Sequence, residues 1–261
     1  MTRKLRLVLL FVVALPLAAQ WRKVGQGVWY DHRAGDGLDI HIAKVDLSDF
    51  AVRVIASNES EHGMTVSEFA RKHRATIAIN ADYFDEALHP VGMAMGTCGV
   101  WWKGDPDLKR KQGLVGLGRR RAEIQERTMT PKRWMFGAVS GWPLLVRDCQ
   151  AINDLPGSDT FTRAPHPRTA VGLSKDRRTM YIVVADGRSE SVGGLTLPDL
   201  ARFMQDLGAC SAINLDGGGS SAMWLNNRIV NRPSDGTERK VGNHLAVIET
   251  RDFPKCREKK K

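Results

Sequence analysis

Short apolar runs recur along this chain from Leu38 to Glu249, and most of them alternate apolar and polar residues. A period of two is the signature of strands with one buried face, and it confines the chain to folds built mainly from sheet. Residues 38–45 (LDIHIAKV), 51–56, 76–79, 144–147, 169–174, 179–185, 211–215, 223–225, 228–230 and 244–249 read as strands. A polar turn at Lys175–Arg178 joins one pair, and Asn226-Asn227 is a hairpin signal between another. Only two segments carry a helical period. Thr65-x-x-Glu68 is a capping box that opens a short helix with Val66, Phe69 and Ala70 inward. Thr196, with Asp199 three residues on, caps a second helix with Leu197, Leu200, Ala201, Met204 and Leu207 on one face, ended by Gly208. Strands outnumber helices and their order is irregular. That predicts an α+β fold, a single domain over residues 20–250 with a mixed, mainly antiparallel β-sheet and a few flanking helices, and argues against a doubly wound α/β sheet.

Composition narrows the class. Of 261 residues, 42% are hydrophobic and 26% charged, which is globular. No apolar run reaches the roughly 20 residues of a spanning helix. Residues 1–19 have the three parts of a secretory signal peptide: Arg3, Lys4 and Arg6, then the apolar Leu7–Leu15, then Pro16 with Ala18 and Ala19. The expected location is secreted or periplasmic. The net charge of +10 at first suggests nucleic acid. The excess, however, sits in that leader, in residues 103–133 (ten basic, four acidic) and in a basic tail, residues 251–261 (six basic, two acidic). Aromatic residues are too sparse in both runs for base stacking, so no nucleic-acid partner is expected. Contact with anionic envelope polymers is the functional reading, and solvated charge the structural one. The cysteines Cys98, Cys149, Cys210 and Cys256 form no C-x-x-C, which excludes zinc-ribbon and thioredoxin-like motifs. Three full pairings are open; a bridge between Cys98 and Cys149 is favoured, with Cys210 either bridged or a free core thiol.

Three strands run into paired polar residues: IAIN-A-D gives Asn80 and Asp82, VVA-D-G-R gives Asp186 and Arg188, and AIN-L-D gives Asn214 and Asp216. Residues i and i+2 share a face of a strand, so each pair projects to one side of a sheet end. Burying such groups requires partners or a polar cleft. A single pair is ordinary turn chemistry; three together point to a site. The third pair opens Asn214-Leu215-Asp216-Gly217-Gly218-Gly219-Ser220-Ser221. Three glycines permit close backbone approach, and successive N–H groups there suit an anion nest. No Lys follows, so this is not a P-loop. Ala222 stands where a nucleophile elbow has its last Gly, which disfavours a serine hydrolase acting through Ser220. Arg168, Arg188 and Arg239 offer forked donors for phosphate or carboxylate. His166 reads as a satisfied loop histidine sooner than a general base. The Asp and Asn oxygens suit calcium or magnesium, but without a contiguous binding loop no cofactor and no metal site is expected.

RTAVGLSKDRRTMYIVVADGR, SVGGLTLPDLARFMQDLGACSAINLDGGGSSAMW and VNRPSDGTERKVGNHLAV, in that order across residues 166–249, resemble the phosphodiester glycosidase family. Residues 38–100 match more loosely, through Asn80 and Tyr83-Phe84. The resemblance implies an exported hydrolase that cleaves a sugar from a sugar-1-phosphodiester. By motif it assigns Asn80, Arg168, Asp186, Arg188, Asn214, Asp216, Gly217, Gly218, Ser220 and Asn243 to the site. Where the family often has glycines after the first Asn, this chain has Ala81 and Asp82. The chemistry needs a carboxylate at the anomeric carbon as nucleophile, base or oxocarbenium stabiliser. Asp216 is the first candidate and Asp186 the second, with Asn214 and Asn80 beside them. Arg168, Arg188, Arg239, Asn243, Asp82, Gly217, Gly218, Gly219, Ser220 and Ser221 are expected to bind substrate. The alternative is a non-catalytic protein that binds envelope glycan or phosphopolymer on the same fold.

Overall fold

The computed structural model describes residues 20–107, 112–126 and 130–252. The signal-like residues 1–19 and most of the basic tail lie outside them. Three antiparallel sheets make up the fold. The largest has eight strands, in the order Arg22–Gly25, Val28–Gly35, Leu38–Asp46, Thr179–Ala185, Arg168–Leu173, Ser211–Asn214, Leu144–Arg147 and Gln150–Ala151. A second runs Arg228–Ile229, Met223–Leu225, Ile77–Asn80, His244–Glu249 and Val52–Ala56. A third runs Gly99–Trp102, Ala94–Gly96, Met135–Gly141, Gly113–Gly118 and Arg121–Gln125. Every strand pairing among the described residues is antiparallel, so the expected mixed sheet resolves to its antiparallel part.

Strand alternation builds the layers. Ala43, Val45, Val171, Leu173, Ile182 and Val184 of the first sheet face Val54, Ile77, Ile79, Leu245 and Val247 of the second, with Val115, Leu117 and Val139 of the third closing the same core. The intervening residues point outward. Ile40, Ile42, Val183 and Ala185 meet the helix Leu197–Asp206 through Leu197, Leu200, Ala201 and Met204. Ile55, Ala78 and Ala246 meet the helix Val66–His73 through Val66, Phe69 and Ala70. Both predicted caps form: Thr65 and Glu68 close a reciprocal box, and the Thr196 side chain accepts from the Asp199 amide. Asn226 and Asn227 both take positive φ, 42° and 78°, as a tight primed hairpin turn requires.

The disulfide expectation changes. Cys149 bridges Cys210, not Cys98. The reason is register: Leu144–Arg147 pairs with Ser211–Asn214, and the Cys149 amide donates to the Cys210 carbonyl at 3.0 Å, so the two residues meet at one strand end. Cys98 is also disulfide-bonded, and there is no free thiol among the described residues. The basic segment 103–133 contains the hairpin of the third sheet, whose tip places Arg120 within 3.0 Å of the Ser48 carbonyl. That tip lies by the Val52 end of Val52–Ala56. Asn243 meets Ser57, just past the opposite end of the strand.

Candidate active site at the meeting of two sheets

The first two sheets meet where Ile77–Asn80, Arg168–Leu173 and Ser211–Asn214 have their ends, and Asn80 joins them. Its side chain is wholly buried; Nδ2 donates to the Asp216 carbonyl at 2.7 Å, and Oδ1 accepts from Thr169 Oγ1 at 2.9 Å and from the Ala222 amide at 3.3 Å. Thr169 Oγ1 also lies 3.3 Å from Ser221 Oγ. The Asp216 amide donates to the Ala81 carbonyl at 2.8 Å. Asn80, Asp216 and Ser221 are therefore one hydrogen-bonded unit.

Asp216 stands at the head of the glycine turn. Burial pushes its carboxyl up to about 6, opposed by Ser220, by the Gly217 amide, which donates to Oδ1 at 2.9 Å, and by the positive charge of Arg239. Two residues earlier, Asn214 Nδ2 donates to Tyr83 Oη at 2.5 Å and to the Trp142 carbonyl at 2.9 Å. Tyr83 Oη donates to the same carbonyl at 3.0 Å. Asp82 is buried under this ledge, with Oδ1 taking both the amide and the hydroxyl of Ser140. Burial raises its carboxyl to about 7, with Ser140 and Asn243 acting in the opposite direction. Asp82 Oδ2, Asn214 Oδ1, Ser220 Oγ and Asn243 Nδ2 are all buried at this junction. Buried polar groups concentrated at one strand junction, two of them carboxyls raised by burial, mark a candidate functional site.

The three glycines are there for contact. A Cβ on Gly217 would stand 2.8 Å from the Pro167 carbonyl. One on Gly218, where φ is 59°, would stand 2.9 Å from the Arg188 guanidinium, and one on Gly219 would strike the Asp235–Arg239 ion pair. The turn is not an open anion nest. The Gly217 amide goes to Asp216, that of Gly218 to the Pro167 carbonyl, and those of Ser220 and Ser221 to the turn itself. Arg188 supplies the free positive charge. It is exposed, makes no ion pair among the described residues, and its Nη2 donates to His166 Nδ1 at 3.3 Å while the other ring nitrogen of His166 donates to the Thr160 carbonyl.

The other expected residues brace the site. Arg168 is buried and gives Nε to the Leu195 carbonyl and Nη2 to those of Phe161 and Ala164; burial lowers it to about 10. Asp186 has both oxygens engaged, Oδ1 by Asn231 Nδ2 at 2.8 Å and Oδ2 by the Arg232 amide at 2.7 Å. Through Asn231, which also donates to the Ser221 carbonyl at 3.0 Å, Asp186 ties the 231–232 segment to the glycine turn. Asn243 accepts from the Ser57 and His244 amides, and its carbonyl takes the Ala81 amide. Tyr83, Ser140, Thr169, Trp142 and Asn231 complete the network without having been expected in it. Ser140 offered one signal, as a lone polar residue in the apolar run MFGAVSG.

The fold and site together are those of an antiparallel α+β domain with a carboxylate at a glycine turn, beside an exposed arginine. The family model for phosphodiester glycosidase matches residues 73–248, and the chain belongs to that family. It is 39% identical over 194 residues to the SPbeta prophage-derived uncharacterized protein YomE of Bacillus subtilis, covering 70% of this chain and 29% of that protein. It is 28% identical over 222 residues to the bovine N-acetylglucosamine-1-phosphodiester alpha-N-acetylglucosaminidase, covering 75% of this chain and 41% of the relative. The chain thus spans less than half the length of either. In fold it resembles the catalytic domain of the zebrafish N-acetylglucosamine-1-phosphodiester alpha-N-acetylglucosaminidase, with a TM-score of 0.65 at 20% identity over 85% of this chain and 82% of that one. It also resembles a hypothetical protein from Synechocystis, with a TM-score of 0.63 at 15% identity over 91% and 64%.

Proposed function

We propose that the protein is an exported enzyme that hydrolyses a sugar-1-phosphodiester, releasing the free sugar and a phosphomonoester. The observation that carries this reading is the placement of the Asp216 carboxyl at the head of the glycine turn, with its main chain held by Asn80, its Oδ1 by the Gly217 amide, and the exposed Arg188 guanidinium against Gly218. Asp216 attacks the anomeric carbon to form a glycosyl ester that water then hydrolyses, or draws a proton from a water that attacks that carbon directly. The bond from that carbon to the phosphate oxygen breaks, and its electron pair leaves with the phosphate. A phosphate is a good leaving group, so the barrier lies in oxocarbenium charge, which an ionised carboxylate stabilises. Arg188 holds the phosphodiester charge, with Arg239 beyond Gly219 adding to the positive field. Asn80 holds the main chain of Asp216, and Asn214 holds Tyr83 and the Trp142 carbonyl beside it. Asp186, Arg168 and Asn243 hold the turn from behind. The signal-like residues 1–19 support export.

The test is a product screen of the purified protein against sugar-1-phosphodiesters. Stoichiometric free sugar and phosphomonoester are the expected result. Retained affinity without product from any of them would favour the non-catalytic binder.

A further inference from the structure

We propose a zinc site outside this cleft, formed by His32, Asp39 and His41 on the first hairpin. Strand geometry makes the cluster. His32 and His41 are directly paired across the antiparallel strands Val28–Gly35 and Leu38–Asp46, and Asp39 shares the face of His41 two residues away. The two imidazoles stack at 4.5 Å with 9° between their planes. Both Nε2 atoms converge on Asp39 Oδ1, at 2.6 Å from His32 and 3.2 Å from His41, and the three donor atoms lie within 4.8 Å of one another. Ligand atoms of a tetrahedral zinc stand roughly 3.4 Å apart for bonds of about 2.1 Å, so small side-chain rotations bring these three into place.

The donor set and its surroundings favour zinc. Two imidazoles and one carboxylate suit zinc and not the hard cations calcium and magnesium. On the far side of His41, Nδ1 lies 2.6 Å from Tyr30 Oη, a partner that can take the Nδ1 proton and leave Nε2 free for metal. Asp186 Oδ2, 4.0 Å from His41 Nε2, adds negative charge from within, although its bond to the Arg232 amide makes it a neighbour and not a ligand. His32 is 44% exposed and Asp39 31%, against 4% for His41, so the cluster opens on one side for entry and for a bound water. Both histidines lie far upstream of Asn80 and Asp82, the first strand pair that drew attention in the sequence, and their convergence depends on pairing residues 38–45 with Val28–Gly35, a strand that the sequence pattern did not reveal.

Isothermal titration of the chelator-treated chain with Zn²⁺ tests the site, with Co²⁺ absorption as a second readout of coordination. The expected result is one Zn²⁺ per chain and a Co²⁺ spectrum of a low-coordinate nitrogen–oxygen site. His32→Ala, at an exposed position, and Asp39→Asn should each weaken binding about tenfold or more, with unchanged circular dichroism. Tyr30→Phe should weaken it about tenfold, the scale of a lost outer partner. No stoichiometric binding, or equal binding by His32→Ala and the unaltered chain, would show a hydrogen-bonded His–Asp–His triad only and overturn the assignment. None of these readouts depends on turnover of a sugar phosphodiester.

Discussion

Asp82 and Asp216 are two carboxylates that burial raises: Asp82 is fully buried, while Asp216 is only half-buried and feels the positive charge of Arg239. Asp82 has its carboxyl raised from 3.8 to about 7 and Asp216 from 3.8 to about 6. A carboxyl whose folded pKa is raised favours the fold while it is protonated in both states, below about pH 4. That stability is lost as pH rises towards the folded value. Asp82→Asn keeps an oxygen for Ser140 and removes the charge. Its melting temperature should therefore gain on that of the unaltered protein as pH rises from 4 to 7, with little further change above. A constant difference across that range would mean that Asp82 is not raised. For Asp216 the same burial sets a catalytic limb. As the ionised form acts at the anomeric carbon, kcat/KM should rise with pH through about 6 and then level; a fall through that range would make Asp216 the acid instead. Arg188 and Arg168 show what residue type alone leaves open. Both are forked donors beside the same turn, but one is exposed and the other is consumed by three main-chain carbonyls. Only the position of the 161–164 segment tells them apart.

Among the elements, the glycine turn was read correctly as a place of close approach, while four of the amides expected to form an anion nest are engaged within the fold. Its composition says that no side chain fits. It does not say that Pro167, Arg188 and the Asp235–Arg239 pair occupy the space, nor that the amides of Gly217, Gly218, Ser220 and Ser221 are already bonded. Gly217→Ala sets a methyl 2.8 Å from a main-chain oxygen that has no freedom to retreat, so the turn must shift and carry the Asp216 carboxyl with it. Turnover should fall about tenfold to a hundredfold, the cost of misplacing a reacting group by an ångström, while the melting temperature moves by a few degrees. Undiminished turnover would detach the turn from the chemistry. Elements with a clear period were legible: both capped helices, the Asn226-Asn227 hairpin and the strands on either side of Lys175–Arg178. Met135–Gly141 was not, because it is buried on both faces and shows no alternation. Asp159–Thr162 is a single turn, too short for any period. Val28–Gly35 carries Asp31 and His32 where its alternation should be plain.

On the scale of the whole molecule, the site exists because two sheets end at the same place. The class of fold and the list of polar strand ends could be read from the chain; their meeting could not, since it depends on pairing between residues more than a hundred positions apart, such as Asn80 with Asp216. Long-range pairing also explains the disulfide between residues 61 positions apart. Nothing local favours Cys210 over Cys98 as the partner of Cys149 until Leu144–Arg147 is laid against Ser211–Asn214. The basic hairpin tip is a further case: its charge was legible, but it projects beside Ser48, at the other end of the second sheet from Asn243, so charge in the sequence did not locate the cleft.

The account stands most directly on the turnover of Asp216→Asn against a sugar-1-phosphodiester that the unaltered protein hydrolyses. The substitution preserves shape and the Gly217 bond and removes the charge. Turnover should drop about a hundredfold or more, the scale of losing a catalytic carboxylate, with the fold intact by circular dichroism. Near-normal turnover by the folded variant would contradict it.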